Sequence, residues 1–357
     1  MEVLSLLRMR HIHMGRRRKF NRILRSIVVG AVVTLFVVCV AVPLIFHYSP
    51  RLQRFFVFLH PVYNNIDFQK PEDVGLPGTR NFYLTTDKDV SVGIWHILPE
   101  SLIHSAPKEI SEEQEAWFEG SLKNDQPIIL YLHGNKGSRG ESHRVELYRI
   151  LRMMDYHVFT FDYRGYADSS SVDPSENGLV TDTKTVFKYL LDNAGTSPVF
   201  VWGHSLGTGV SCHAVSELCR ENNCPQGLIL EAPFNNLHDE VVLNPLSQIF
   251  HHLPYFDWAF IEPLREIGIE FQSDVHIIHI TCAVIILHAQ DDKVVPIELG
   301  RKLVKAAQLG RPSGAVPIKF IELESSFGYG HNHISQAPEI SVIIRDFVNK
   351  AKITKKI

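Results

Sequence analysis

The chain has 357 residues, 45% hydrophobic and 21% charged, a balance that fits a folded globular protein and excludes extended disorder. Its net charge of −3 leaves no broad basic balance and argues against nucleic acid as a partner. Five irregularly spaced cysteines, Cys39, Cys212, Cys219, Cys224 and Cys282, contain no C-x-x-C pair, so neither a disulfide framework nor a structural zinc site is expected.

The N-terminus is the most polarised region. Residues 1–26 form a basic tail, and residues 27–46 (IVVGAVVTLFVVCVAVPLIF) carry no charged side chain. A helix of that length spans a hydrocarbon core of about 30 Å, so a transmembrane anchor is expected. It is longer than a signal-peptide apolar core and lacks an A-x-A cleavage site. Eight basic residues lie in 7–26 (Arg8, Arg10, Arg16, Arg17, Arg18, Lys19, Arg22, Arg25), against only Arg51 and Arg54 in 47–66. That bias predicts a cytosolic N-terminus with the rest of the chain across the membrane. No N-x-[ST] sequon follows the anchor, only the weaker Asn222-Asn223-Cys224.

A membrane-proximal segment, 47–80, comes next. Its stretch 51–63 (RLQRFFVFLHPVY) suits either core packing or a seat on the bilayer surface. From residue 81 to 357 the pattern is that of one large domain. Two strands, 81–85 and 90–95, read as an entry hairpin, and 101–123 as an acidic surface insertion. Short apolar runs then recur at 127–132 (PIILYL), 157–162 (HVFTFD), 198–202 (PVFVW), 227–231 (GLILE), 283–288 (AVIILH) and 318–323 (IKFIEL). Helical-length segments such as 142–154, 178–193 and 209–220 separate most of them. The alternation predicts an α/β fold with a mostly parallel sheet covered by helices on both faces.

The chemistry concentrates at Gly203-His204-Ser205-Leu206-Gly207, a G-x-S-x-G pentapeptide. An apolar strand enters it and a helical segment leaves it, the order that a nucleophile elbow requires. Ser205 is the expected nucleophile. Its base and orienting acid should follow in the order Asp then His, at the C-terminal ends of later strands. Asp292, after AVIILH, and His331, in GYGH after IKFIEL, fit; Asp291 and His333 compete with them. The backbone N–H groups of Asn135, in HGN after the first strand of the series, and of Leu206 are the expected oxyanion hole. His133 reads as structural. His251–His252 and His331/His333 are close histidine pairs, and neither forms an H-E-x-x-H motif, so no metal and no cofactor is expected.

The elements HGN (133–135), FDYRG (161–165), GHSLGTG (203–209), LEAPF (230–234) and DDKVVP (291–296) resemble those of α/β-hydrolase-fold lipases. RVELYRIL, the extended GHSLGTGV and GYGH resemble one subgroup, the single-pass endoplasmic-reticulum lysophosphatidylserine and monoacylglycerol lipases. The likeness covers nearly everything after the anchor. It implies Ser205 as nucleophile, Asp292 as orienting acid and His331 as base, with a lipid substrate, a bilayer as partner and a lumenal catalytic domain. This chain departs from the subgroup at Lys136, where a smaller residue is usual, and at Ala167, where glycine is usual.

Residues 235–280 form the expected cap, with an aromatic run, FHHLPYFDWAF, at 250–260 that suits either an acyl-chain tunnel or cap packing. Lys136, Arg139 and Arg144 follow the oxyanion loop and could meet an anionic headgroup or lie in a solvated loop. A membrane-bound carboxylic-ester lipase is the leading function. The alternatives are another acyl hydrolase (thioesterase, amidase or peptidase) and a non-catalytic scaffold on the same fold.

Overall fold

Alternating apolar runs and amphipathic segments give the chain its architecture in the computed structural model, which describes residues 2–60, 66–107, 111–245 and 247–354. The end of the 51–63 stretch, part of the acidic insertion and one cap residue lie outside the described residues. So do the side chains of Arg8, Arg10 and Arg16.

Helix α1 (Glu2–Phe36) passes through a π-turn at Val37–Ala41 into α2 (Val42–His47). Its portion Arg17–His47 has a mean hydropathy of 2.9 over its most apolar window and is only 6% buried there. It is long and apolar enough to cross a membrane. The turn after His47 is capped by Ser49, which opens α3 (Pro50–Phe58). Here the core-packing expectation holds on one face. Gln53 and Phe58 are buried, whereas Phe55 and Phe56 stay 38% and 50% exposed.

The hairpin is β1 (Thr79–Asp87) and β2 (Val90–Ile97), followed by α4 (Glu112–Ser121) within the acidic insertion. The α/β series is β3 (Ile128–Leu132), α5 (Ser142–Met153), β4 (His157–Phe161), α6 (Glu176–Ala194), β5 (Val199–His204), α7 (Leu206–Arg220) and β6 (Gly227–Glu231). The cap contributes α8 (Leu237–Leu243), a π-turn at Asp257–Ile261, α9 (Glu262–Glu266) and α10 (Ser273–His276). The chain finishes with β7 (Ala283–Ala289), α11 (Ile297–Gly310), β8 (Lys319–Leu323) and α12 (Ile340–Thr354).

The eight strands form one sheet in the order β1-β2-β4-β3-β5-β6-β7-β8. Only the β1–β2 and β2–β4 pairs are antiparallel; the remaining ladders are parallel. Strands β3 to β7 are buried along their whole length because helices cover both faces. One apolar cluster, under α6, α7 and α11, includes Leu130, Val201, Leu228 and Leu303. The other, under α5 and α12, includes Ile129, Tyr148, Phe200 and Phe347.

Three expectations need correction. Cys219 and Cys224, at and just beyond the end of α7, form a disulfide, because the turn at Asn222 brings their Cα atoms to 4.1 Å. Helix α7 begins at Leu206 rather than Gly209, so the serine itself caps the helix. The acidic insertion is not wholly surface, since Phe118 of α4 is buried.

Candidate active site

Ser205 stands between β5 and α7 with φ 53° and ψ −120°, a strained conformation for any residue with a Cβ. The elbow survives because its neighbours are minimal. A Cβ on Gly207 would lie 2.1 Å from the Leu132 carbonyl oxygen, and one on Gly203 would lie 2.4 Å from the Gly207 oxygen. The Ser205 N–H donates to the Glu231 carbonyl (3.0 Å), which pins the elbow to β6. The Thr208 amide and hydroxyl donate to the Ser205 carbonyl at 2.8 and 2.7 Å. The serine is 8% exposed and caps a 15-residue helix, whose amide dipoles favour negative charge there.

The loop after β3 abuts this elbow. A Cβ on Gly134 would lie 3.2 Å from the Ser205 Cβ, so only glycine permits the approach without displacement. His133 Nδ1 donates to the Gly134 carbonyl (2.7 Å), and its Nε2 lies 3.3 Å from Asp162. Burial lowers the His133 pKa and keeps the ring neutral near pH 7. The Tyr163 hydroxyl donates to the His133 carbonyl at 3.2 Å. Asn135 is clamped from α3: its Nδ2 donates to the Val57 carbonyl of that helix (3.2 Å), and its own carbonyl accepts from Tyr166 (3.3 Å). The same Tyr166 hydroxyl donates to the Phe58 carbonyl. Helix α3 thus buttresses the loop, which the sequence did not reveal because no local pattern links residues 57 and 135.

Past β7 and β8 the structure brings Asp292 and His331 together, with Nδ1 of the histidine 2.7 Å from Oδ2 of the aspartate. The other oxygen, Oδ1, accepts from the Val294 and Val295 amides at 2.8 and 2.9 Å. His288 adds a contact at 3.5 Å. Burial alone would raise the Asp292 pKa. The bonds from His288, His331 and the Val295 amide outweigh it and hold the carboxyl well below its usual range. Asp291 does something else: both its oxygens accept from the Gly330 amide at 3.1 Å, bracing the turn before His331. The His333 amide is spent on the Tyr329 carbonyl (3.2 Å).

Two further residues went unnoticed in the sequence. His204, the variable position of the pentapeptide, places Nε2 2.9 Å from the His331 carbonyl and ties the histidine loop to the elbow. Burial holds its pKa well below the ordinary value, so the ring is neutral and donates from Nε2. Glu231 is 4% exposed, accepts from Trp202 Nε1 at 2.8 Å, and is pushed up to about 7, chiefly by burial. A glutamate ending an apolar strand was the available signal.

Of the basic residues behind the oxyanion loop, Arg139 and Arg144 do not meet the headgroup expectation, whereas Lys136 is exposed. Arg139 is fully buried, bonds Asp162, Asp168 and Asn81, and lies 4.2 Å over the Phe68 ring. Arg144 is 2% exposed and donates to the Ser138 and Lys136 carbonyls. Both shape the loop from within. On the cap, Phe250, Phe256 and Phe260 pack on one another and on Phe46 of α2. The packing reading of the aromatic run therefore holds.

A serine elbow on a parallel sheet, with an acid–histidine pair past later strands, defines the α/β-hydrolase class. The serine aminopeptidase S33 family pattern matches residues 123–260. An α/β-hydrolase from Vibrio vulnificus superposes with a TM-score of 0.60 at 16% identity, covering 83% of this chain and 94% of that one. The chain is 42% identical to the lysophosphatidylserine lipase ABHD12 of Bos taurus over 88% of its length and 78% of the relative's. It is 40% identical to that of Gallus gallus over 94% and 86%. The chain belongs to the ABHD12 family and is a serine ester hydrolase.

Proposed function

We propose that this protein is a membrane-anchored lipase that cleaves the acyl ester of lysophospholipids, lysophosphatidylserine among them, and of monoacylglycerols. Ser205 attacks the acyl carbonyl while His331 takes its proton. Asp292 holds the imidazole in the tautomer that leaves Nε2 free, and the Asn135 and Leu206 amides hold the oxyanion. His331 then protonates the departing glycerol or phosphoglycerol oxygen, and water resolves the acyl-enzyme. The observation that carries this reading is the 2.7 Å bond between His331 Nδ1 and Asp292 Oδ2. The substrate class rests on the relatives named lysophosphatidylserine lipase.

The chain divides into a basic cytosolic tail (1–26), a transmembrane anchor (27–46), a membrane-proximal segment (47–80) and the hydrolase domain (81–357) with its cap at about 235–280. The charge bias across the anchor favours a lumenal catalytic domain in the endoplasmic reticulum. The Cys219–Cys224 disulfide supports that side, because the cytosol keeps such pairs reduced.

The test is Ser205→Ala in the full-length protein. Fluorophosphonate labelling and hydrolysis should both disappear while the fold persists, and near-normal turnover by a folded variant rejects the mechanism. In mixed micelles at matched acyl chain, lysophosphatidylserine and monoacylglycerol should be cleaved much faster than triacylglycerol, a thioester or a peptide. Equal triacylglycerol cleavage rejects the single-chain preference, and faster thioester or peptide cleavage moves the enzyme to another class of acyl hydrolase.

A further inference from the structure

Residues 241–256 (VVLNPLSQIFHHLPYF) contain no Asp, Glu, Lys or Arg, although Glu240 and Asp257 flank them directly. Such a stretch is unusual on a cap that should face water. Its position explains the composition. The Tyr255 hydroxyl donates to the Cys39 carbonyl inside the apolar N-terminal helix. Cys39 lies seven residues before Phe46, which at 1.5 Å per residue is about 10 Å from the end of the apolar stretch.

The rest of the cap is registered on the same helix. His47 Nδ1 lies 2.8 Å from the Trp258 carbonyl, and the two rings stack at 4.1 Å. Phe46 packs on Phe260 with ring centroids 5.2 Å apart. On the cap, Ile249 is 69% exposed, with Leu243 and Trp258 less so. Tyr48 and Phe56, beside the helix end, are also exposed. Tryptophan and tyrosine at the level of His47, with apolar side chains deeper along the helix, follow the layering of a bilayer interface.

We propose that the cap residues 241–245 and 247–256 form a second membrane-embedded element, dipping into the leaflet that the C-terminal end of the N-terminal helix crosses. Its partner is lipid hydrocarbon, and the surface continues the one the helix already presents. This rests on the reading that the helix spans the bilayer. Several of its amides bond within the segment, which lessens the cost of that environment: Ser247 to Asn244, Phe250 and His251 to Ser247, Leu253 to Phe250, and Phe256 to Leu253. The cap is then held in the membrane beside the catalytic domain, so a single-chain lipid can reach it from the leaflet without crossing water.

The test uses the full-length protein in phosphatidylcholine vesicles whose acyl chains carry bromine, which quenches indole on contact. Three variants each add one tryptophan: Ile249→Trp on the cap, Val32→Trp in the N-terminal helix, and Val342→Trp on α12, where the side chain is 70% exposed. Emission above wild type should fall severalfold in brominated relative to plain vesicles for Ile249→Trp and Val32→Trp, and stay unchanged for Val342→Trp. Quenching of Val32→Trp without Ile249→Trp overturns the proposal and leaves the anchor standing. Absence of quenching in both overturns the anchor reading, and the proposal with it. Quenching of all three marks unspecific lipid contact and also overturns it.

Discussion

Replacing Glu231 by glutamine should change how stability depends on pH. The Glu231 carboxyl, ordinarily near 4.5, is pushed up to about 7. Burial is the main cause, the Trp202 bond opposes it, and the negative charge of Asp292 adds to it. Between those two values the folded protein holds a proton that the unfolded chain has released. Its stabilising contribution is complete below about 4.5 and is lost as pH rises through about 7. At about 1.4 kcal/mol per pH unit, the loss is roughly 3 kcal/mol. Glutamine keeps an acceptor for Trp202 Nε1 but has no proton to lose. Asp292 titrates below this window, and Glu240, also pushed up to about 7, is unchanged in both proteins and cancels in the comparison. The assay is thermal unfolding in detergent micelles from pH 5 to pH 8 at fixed ionic strength. For a domain of this size the melting temperature of Glu231→Gln should gain about 5 °C on wild type between those limits. A difference that stays constant with pH, or shrinks toward pH 8, refutes the reasoning.

Asp292→Asn should lower kcat by orders of magnitude, to about 10⁻⁴ of wild type, because the wrong imidazole tautomer is then favoured. Asp291→Asn should cost far less, since Asp291 accepts from the Gly330 amide and not from the histidine ring; steady-state kinetics on both variants decides which carboxylate serves the histidine. Ala167 adopts φ 46°, so Ala167→Gly should raise stability by roughly 0.5–1 kcal/mol in denaturant unfolding, and a loss would mean that the methyl packing outweighs the strain. Arg139→Ala leaves Asp162 buried without its cation and should destabilise by about 3–5 kcal/mol while the ratio of lysophosphatidylserine to monoacylglycerol turnover stays fixed. A changed ratio in a stably folded variant would restore the headgroup role.

Strands β3 to β7 were legible in the sequence, because parallel strands buried on both faces are written as continuous apolar runs between turn residues. The apolar helix was legible for a similar reason, since its composition alone meets the length and hydropathy of a bilayer core. The positions of Ser205, Asp292 and His331 at strand ends were readable from motif and order, with Asp291 left as a competitor to Asp292. Their hydrogen bonds were not. Which of two adjacent carboxylates faces the histidine depends on how the turn at residues 289–295 folds, and that turn is set by the Val294 and Val295 amides bonding Asp292. The burial of Arg139, the buttress from α3 to Asn135 and the cap's seat on the N-terminal helix all join residues far apart in the chain. Sequence periodicity reports the environment of one element at a time. Contacts across about 80 to 220 positions, such as Asn135 with Val57 or Tyr255 with Cys39, arise only when packing brings separate elements together.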